Sequence, residues 1–263
     1  MSELRDLYDQ QLRQNVRPDA SGSLVDASTT FVRWFANESG LGWSEVLWTS
    51  LDENTADAAI ADHVDFYASR NLSFLWTVYD YDRPDDLGVR LERAGFTEDS
   101  SSAIVVASCD SLTGEVELPA GVTLVHVEDD AGIDELIAVH ESVFGHRLDD
   151  MRKNLQHRLR TGPHEMDMFV VHDVRGTPIS SSRVEYFAGT EFAALWGGST
   201  EAAWRGQGLY RAQVLHRARM AKDKGFAYLM VMASENSRPI LEKMGFALIS
   251  RAVRYKKVPS AVQ

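Results

Sequence analysis

Cysteine is nearly missing from this chain of 263 residues: Cys109 is the only one. That excludes an intramolecular disulfide framework and any multi-cysteine metal site. Long apolar runs are missing too. No stretch approaches the roughly 18 residues that cross a bilayer, and the opening MSELRDLYDQQLRQ is polar and charged where a secretory signal would be apolar. Both absences point to a cytoplasmic protein with no membrane partner. No basic run exceeds two residues, so the clustered Lys and Arg of a nucleic-acid binder are lacking. The histidines show no ligand spacing: His164-Glu165 is not followed by the second histidine of a zinc helix, and no metal is expected.

Lysine is also absent from residues 1–115, which hold 21 Asp and Glu against 8 Arg. Residues 116–263 hold 18 acids and 19 bases, so the formal charge of −12 falls almost wholly on the first part. The length suggests nearly two domains of about 150 residues each. The charge split suggests two units with different jobs, the acidic one suited either to solubility or to a cationic partner. With 44% hydrophobic and 25% charged residues the composition is that of a globular protein.

The second part has the clearer pattern. Residues 121–128 alternate like a strand, and 131–144 carry apolar positions at helical spacing. Asp149 is placed to cap a helix to about Leu159. MDMFVVHDV, TPISSSRVEYF and EFAALWGGST read as three strands separated by turn residues, Arg175-Gly176 and Ala188-Gly189-Thr190. A long helix over 206–225, the strand FAYLMVMA, the short helix SRPILEKM and a last strand from Gly245-Phe246 to about Tyr255 complete an α/β order with a mixed sheet. The first part echoes it. TTFVRWFA and SEVLWTSL are strand-like, 54–70 is helical with Asn54 as cap, and LSFLWTVYD and SSAIVVAS are strands. RPDDLGVRLERAGF and SRPILEKMGF are both proline-started helices closing on Gly-Phe. The echo suggests an internal duplication with a boundary at 110–119, giving units over 1–115 and 120–257.

The most specific segment is LWGGSTEAAWRGQGLYRAQVLHRARMAKDKG. A strand runs into Arg205-Gly206-Gln207-Gly208-Leu209-Tyr210, and an amphipathic helix follows. Glycines let successive N–H groups converge and the helix N-terminus adds partial positive charge, which cradles a phosphate without a lysine. No Gly-Lys-Ser/Thr follows, so this is not a Walker loop, and the glycine spacing is not that of a dinucleotide fold. Residues 120–256 resemble the GNAT superfamily of acetyl-CoA-dependent N-acetyltransferases. Arg205-Gly206-Gln207-Gly208 matches the start of that family's pyrophosphate loop, with Tyr210 where Gly or Ala is common, and SENSRPILEKMGF resembles its closing strand–helix segment. The LERAGF ending of the first half extends the resemblance to a tandem GNAT fold. Its first unit would be degenerate, since TSLDENTADAAI stands without glycine where the loop would be.

The resemblance implies acetyl-CoA as cosubstrate and a small primary amine as acceptor, which the acidic first half suggests is cationic, in a monomer or homodimer. The strand 191–200 would splay from 227–233 and admit the pantetheine arm. Backbone groups around Trp196, Gly198, Ser199 and Thr200 would bond that arm, with Ser234 beyond it. Arg205, Gly206, Gln207, Gly208, Leu209, Tyr210 and Arg211 would hold the pyrophosphate. Glu191 is the expected base, ahead of Glu185 and Glu201. The tyrosine that commonly protonates the leaving thiolate falls at Leu241, so Ser237, Ser234 or Tyr210 would substitute. His140 could face the substrate from the first helix, or be an ordinary polar residue of a helix face. Two other functions fit the same residues: a CoA-binding sensor that transfers nothing, or an acyltransferase with a longer donor.

Overall fold

The structure, a computed structural model, describes residues 2–38 and 40–259. The chain divides into two compact units. The first comprises residues up to Val105, Met232–Arg238 and the chain from Leu248 onward. The second comprises Val106–Val231 and Pro239–Ala247.

In chain order the first unit holds α1 (Ser2–Tyr8), a π-helical turn (Asp9–Gln14), β1 (Ser23–Ala27), β2 (Phe31–Ala36), β3 (Glu45–Thr49), α2 (Ala56–Ala68), β4 (Phe74–Tyr79), α3 (Leu87–Arg93) and most of β5 (Thr97–Ser108). The second holds β6 (Thr123–His126), α4 (Asp130–Phe144), α5 (Asp149–Thr161), β7 (Met166–His172), β8 (Pro178–Tyr186), β9 (Phe192–Thr200), α6 (Leu209–Asp223), most of β10 (Tyr228–Ala233) and most of α7 (Arg238–Lys243). The chain closes with β11 (Ala247–Lys257).

That last strand is where packing departs from the sequence boundary. β11 pairs antiparallel with β4, from Ala252 opposite Tyr79 to Lys257 opposite Phe74. The first unit therefore has the strand order β1-β2-β3-β4-β11-β5, and the C-terminal strand, read as part of 120–257, packs with the first unit. Burial explains the choice. Tyr255 joins the core of Val46, Ile60, Tyr67, Phe74, Trp76, Leu87, Leu91 and Phe96. Its hydroxyl rests where a Cβ on Gly88 of α3 would lie, so the helix approaches only because position 88 has no side chain. α1 and β1 lie in a stretch whose sequence pattern carries no clear period.

The second unit has the order β10-β9-β8-β7-β6, with β6 to β9 antiparallel and β9/β10 parallel. α4 covers the helical spacing read over 131–144. The Asp129 carboxylate accepts the Gly132 N–H at 2.8 Å, and Gly145 ends the helix in the left-handed region at φ +75°. Its residues Ile133, Leu136 and Ile137 share one face and meet Leu155 of α5 and Met166, Met168 and Val170 of β7. α5 starts at Asp149 itself, with Leu148 rather than Asp149 at the cap. α2 likewise is capped at Thr55 and not Asn54.

Candidate functional site

The parallel β9/β10 ladder runs from Phe192–Tyr228 to Ala194–Met230 and ends there, while β9 stays paired with β8 as far as Thr200. Within that stretch β9 bulges. Arg183 opposes Trp196 and Ser181 opposes Ser199, so Gly197 and Gly198 together face one residue of β8. Gly197 lies at φ +60°, where a side chain would be strained.

Helices clamp the bulge. A Cβ on Gly198 would lie 2.8 Å from Cε2 of Tyr210, in the first turn of α6. A Cβ on Gly197 would lie 2.8 Å from Cε1 of His140 on α4 and 3.0 Å from Nη1 of Arg183. The Nε2–H of His140 donates to the Gly197 carbonyl at 2.9 Å. Burial, helped by Arg183, pushes the His140 pKa down to about 4, so the ring is neutral at neutral pH. The sequence offered His140 as a substrate-facing or ordinary polar residue of a helix face; it is buried, and its bond to Gly197 was not legible.

The α6 side is polar and connected. Ser180 Oγ lies 2.8 Å from Thr200 Oγ1, and Gln213 Nε2 donates to Ser180 Oγ at 2.8 Å. Arg217 is buried and donates to carbonyls of Gln213, Arg183 and Trp196, and burial lowers its pKa to about 10. Ser181 and Ser199 oppose one another across β8/β9. Among the described residues, their hydroxyls and the Trp196 indole N–H are buried without a hydrogen-bond partner. Such groups are costly to bury unpaired and can serve a ligand's polar atoms.

Past β9 the chain makes a single helical turn, Ala202–Trp204, and Arg205 Nε donates to the Thr200 carbonyl at 2.9 Å. Gln207 donates to Ala203 O at 3.1 Å, which folds the loop on itself. Gly206 and Gly208 both have positive φ, +75° and +84°, and nothing lies within 4 Å of the Cβ that either would carry. Gly208 caps α6 without any side-chain bond, so the first N–H groups, those of Leu209, Tyr210 and Arg211, begin the helix with the macrodipole behind them. With both Cβ positions open and no side-chain cap at Gly208, the loop leaves room for an anion at the N-terminus of α6.

The expected acid and base are placed differently. Glu191 is exposed at the paired end of β9. Seven residue steps along the strand, roughly 23 Å, separate it from Gly198. Glu185 is buried between Arg158 at 3.1 Å and Arg183 at 2.7 Å. Burial raises its pKa, but the two guanidinium groups overcome that and hold it below the usual carboxylate range. Ser234 and Ser237 pack in the first unit and bond each other, hydroxyl to hydroxyl at 3.2 Å, at the start of α7. Ser234 N–H donates to Ser237 Oγ at 3.1 Å. Leu241 is fully buried, so the position counted for an acidic tyrosine belongs to the core. Of the expected residues, the structure gathers Trp196, Gly198, Ser199, Thr200, Arg205 and Tyr210 around the bulge and its exit. No cluster of three or more His, Cys, Asp or Glu suited to a metal occurs among the described residues.

No protein-family model and no curated protein matches the sequence. Solved structures do match. A GCN5-related N-acetyltransferase from Kribbella flavida is 16% identical with TM-score 0.67, over 99% of this chain and 96% of that one. A tandem GNAT protein from the clavulanic acid biosynthesis pathway is 14% identical with TM-score 0.60, over 100% and 95%. A GCN5-related N-acetyltransferase from Sphaerobacter thermophilus is 13% identical with TM-score 0.58, over 90% and 84%. The chain thus has the fold of the GCN5-related N-acetyltransferases, in its tandem form.

Proposed function

We propose that the protein transfers an acetyl group from acetyl-CoA to the primary amine of a small metabolite. One observation carries this reading: an open two-glycine cradle at the start of α6 stands beside a strand bulge lined by buried, unpaired polar groups. The amides of Gly206, Gly208, Leu209, Tyr210 and Arg211 would hold the pyrophosphate, and backbone groups from Trp196 to Thr200 the pantetheine arm. When bound, the cosubstrate supplies an activated acetyl thioester whose thiol, of pKa near 8.5, leaves readily. The Gly198 N–H polarises the acyl carbonyl.

Tyr210, whose amide serves the pyrophosphate, does not also reach the thiol at the far end of the pantetheine arm, so the thiolate leaves without a dedicated protein acid. Ser237 is held in its own turn. Water takes the amine proton, since Glu185 is locked between arginines and Glu191 stands at the far end of β9. The acidic first part, 21 acids against 8 bases, favours a cationic acceptor such as a polyamine or an amino sugar.

The test is direct. Purified protein is mixed with acetyl-CoA and a panel of polyamines, amino sugars and amino acids, and free thiol is followed. Amine-dependent release supports transfer. Tight CoA binding with no turnover by any amine overturns it in favour of a sensor, and turnover confined to longer acyl donors overturns the acetyl assignment.

A further inference from the structure

His140 occupies a place where the local pattern calls for an apolar residue. Ile133, Leu136, Ile137 and His140 follow one another on a single face of α4, and all four are buried. A polar side chain in that stripe is costly unless it is hydrogen-bonded. The bond it makes is to the carbonyl of Gly197, the left-handed residue of the bulge.

The consequence follows from peptide geometry. In a planar trans peptide the C=O of one residue and the N–H of the next point in opposite directions. Holding the Gly197 carbonyl against α4 therefore aims the Gly198 N–H away from it. The peptide lies between two glycines, so no Cβ of its own opposes a flip. What resists rotation is the neighbourhood: His140 and Arg183 at Gly197, and the Tyr210 ring at Gly198.

We propose that His140 is a positioning residue, whose hydrogen bond to Gly197 keeps the Gly198 N–H presented to the acyl carbonyl of the donor. This rests on the acyl-transfer reading. The groups facing the ring are the Arg183 guanidinium from β8, paired in turn with Glu185, and the Phe144 ring from α4 at 5.8 Å. None is a proton acceptor in contact with the ring, and His140 acts as a neutral donor throughout.

Three variants test this: His140→Phe removes the donor and keeps a ring, His140→Gln keeps an N–H at similar reach, and His140→Ala removes both. Each is measured for kcat and KM with acetyl-CoA, CoA affinity by calorimetry, the pH profile of kcat, and the chemical shift and exchange rate of the Gly198 amide by NMR. The expected result for His140→Phe is a 10²–10³-fold loss in kcat, the range for a lost oxyanion donor, with CoA affinity within about threefold of wild type. His140→Gln restores most of kcat with the pH profile unchanged in shape, and its Gly198 amide stays near the wild-type shift. A His140→Phe enzyme within threefold of wild-type kcat overturns the proposal. So does a His140→Gln enzyme as inactive as His140→Phe that has lost the acidic limb of the profile, which would make His140 a proton carrier. If His140→Phe fails to fold, His140→Gln and the Gly198 amide decide the matter. Wild-type protein that neither binds CoA nor releases thiol overturns the acyl-transfer reading instead, and an unmoved Gly198 amide in His140→Ala then overturns the positioning role separately.

Discussion

Each unit joins a parallel strand pair through a loop and a helix: β3–α2–β4 in the first and β9–α6–β10 in the second. Both ladders stop early, after Val46–Trp76 in one and Ala194–Met230 in the other. Leu47-Trp48 follows the last paired residue of β3, and Leu195-Trp196 that of β9. From there the two diverge. In the first unit the Leu47 carbonyl accepts Arg13 Nε at 3.0 Å. That guanidinium, which follows α1, forks onto Asp82 at 2.9 and 2.8 Å and lies 3.9 Å over the Tyr79 ring. In the loop before α2, the Asp52 carboxylate accepts the N–H groups of Asn54 and Thr55 at 2.8 and 2.9 Å. An internal carboxylate thus sits where the second unit keeps an open cradle at Gly206 and Gly208. The same topology leaves its loop open or fills it with its own side chains according to a few residues in the loop and one arginine.

The comparison is broken most forcefully at Arg13. Arg13→Leu leaves Asp82 buried without its cation, and loss of a buried partner costs about 3–5 kcal/mol. Urea unfolding of the variant should show a drop of that order, and a change under about 1 kcal/mol would mean the arginine is dispensable to the first unit. Next comes the cradle. Gly208→Asp places in the second unit the anion that the first already has, and calorimetry should show CoA affinity lowered at least about 100-fold, or ~2.7 kcal/mol, in folded protein. Asp52→Ser should leave one CoA per chain, and a stoichiometry near two would show that the first loop was only blocked.

Each unit also buries one neutral histidine, His63 in the first and His140 in the second, both with pKa lowered to about 4, chiefly by burial. Between pH 6.5 and 4 the unfolded chain binds protons that the native state refuses. Their contribution is therefore full above pH 6.5 and lost as pH falls toward 4, with a slope of up to about 1.4 kcal/mol per pH unit for each. Denaturation midpoints across that window should fall, and His63→Gln should reduce the slope by up to about 1.4 kcal/mol per pH unit; an unchanged slope would place the titration elsewhere. The smallest effect belongs to Asp52→Asn. It weakens the turn before α2, whose bonds to Thr55 and Asn54 hold the Asp52 carboxylate below its ordinary pKa, and should lower the melting midpoint slightly at pH 7.

What the sequence determined by itself is local. The Asp129 cap, the Gly145 stop, the Gly206 and Gly208 loop and the turn residues that separate β7, β8 and β9 all depend on residues within a few positions of one another, where propensity, capping and turn chemistry act. Asp52 shows the limit of such reading: the missing glycine was visible, but not that a carboxylate takes the amides. The tertiary structure decided every choice of partner. β11 joins β4 because Tyr255 has a core to enter there. Tyr210 reaches Gly198 because α6 lies across the bulge, and Glu191 lies far from the site because the parallel ladder closes at its end of β9. His140, 57 residues before Gly197, meets it only because α4 packs on β8 and β9. Periodicity tells which face of an element is buried, and the polar groups that face meets are set by packing at long sequence separation, where no local signal reaches.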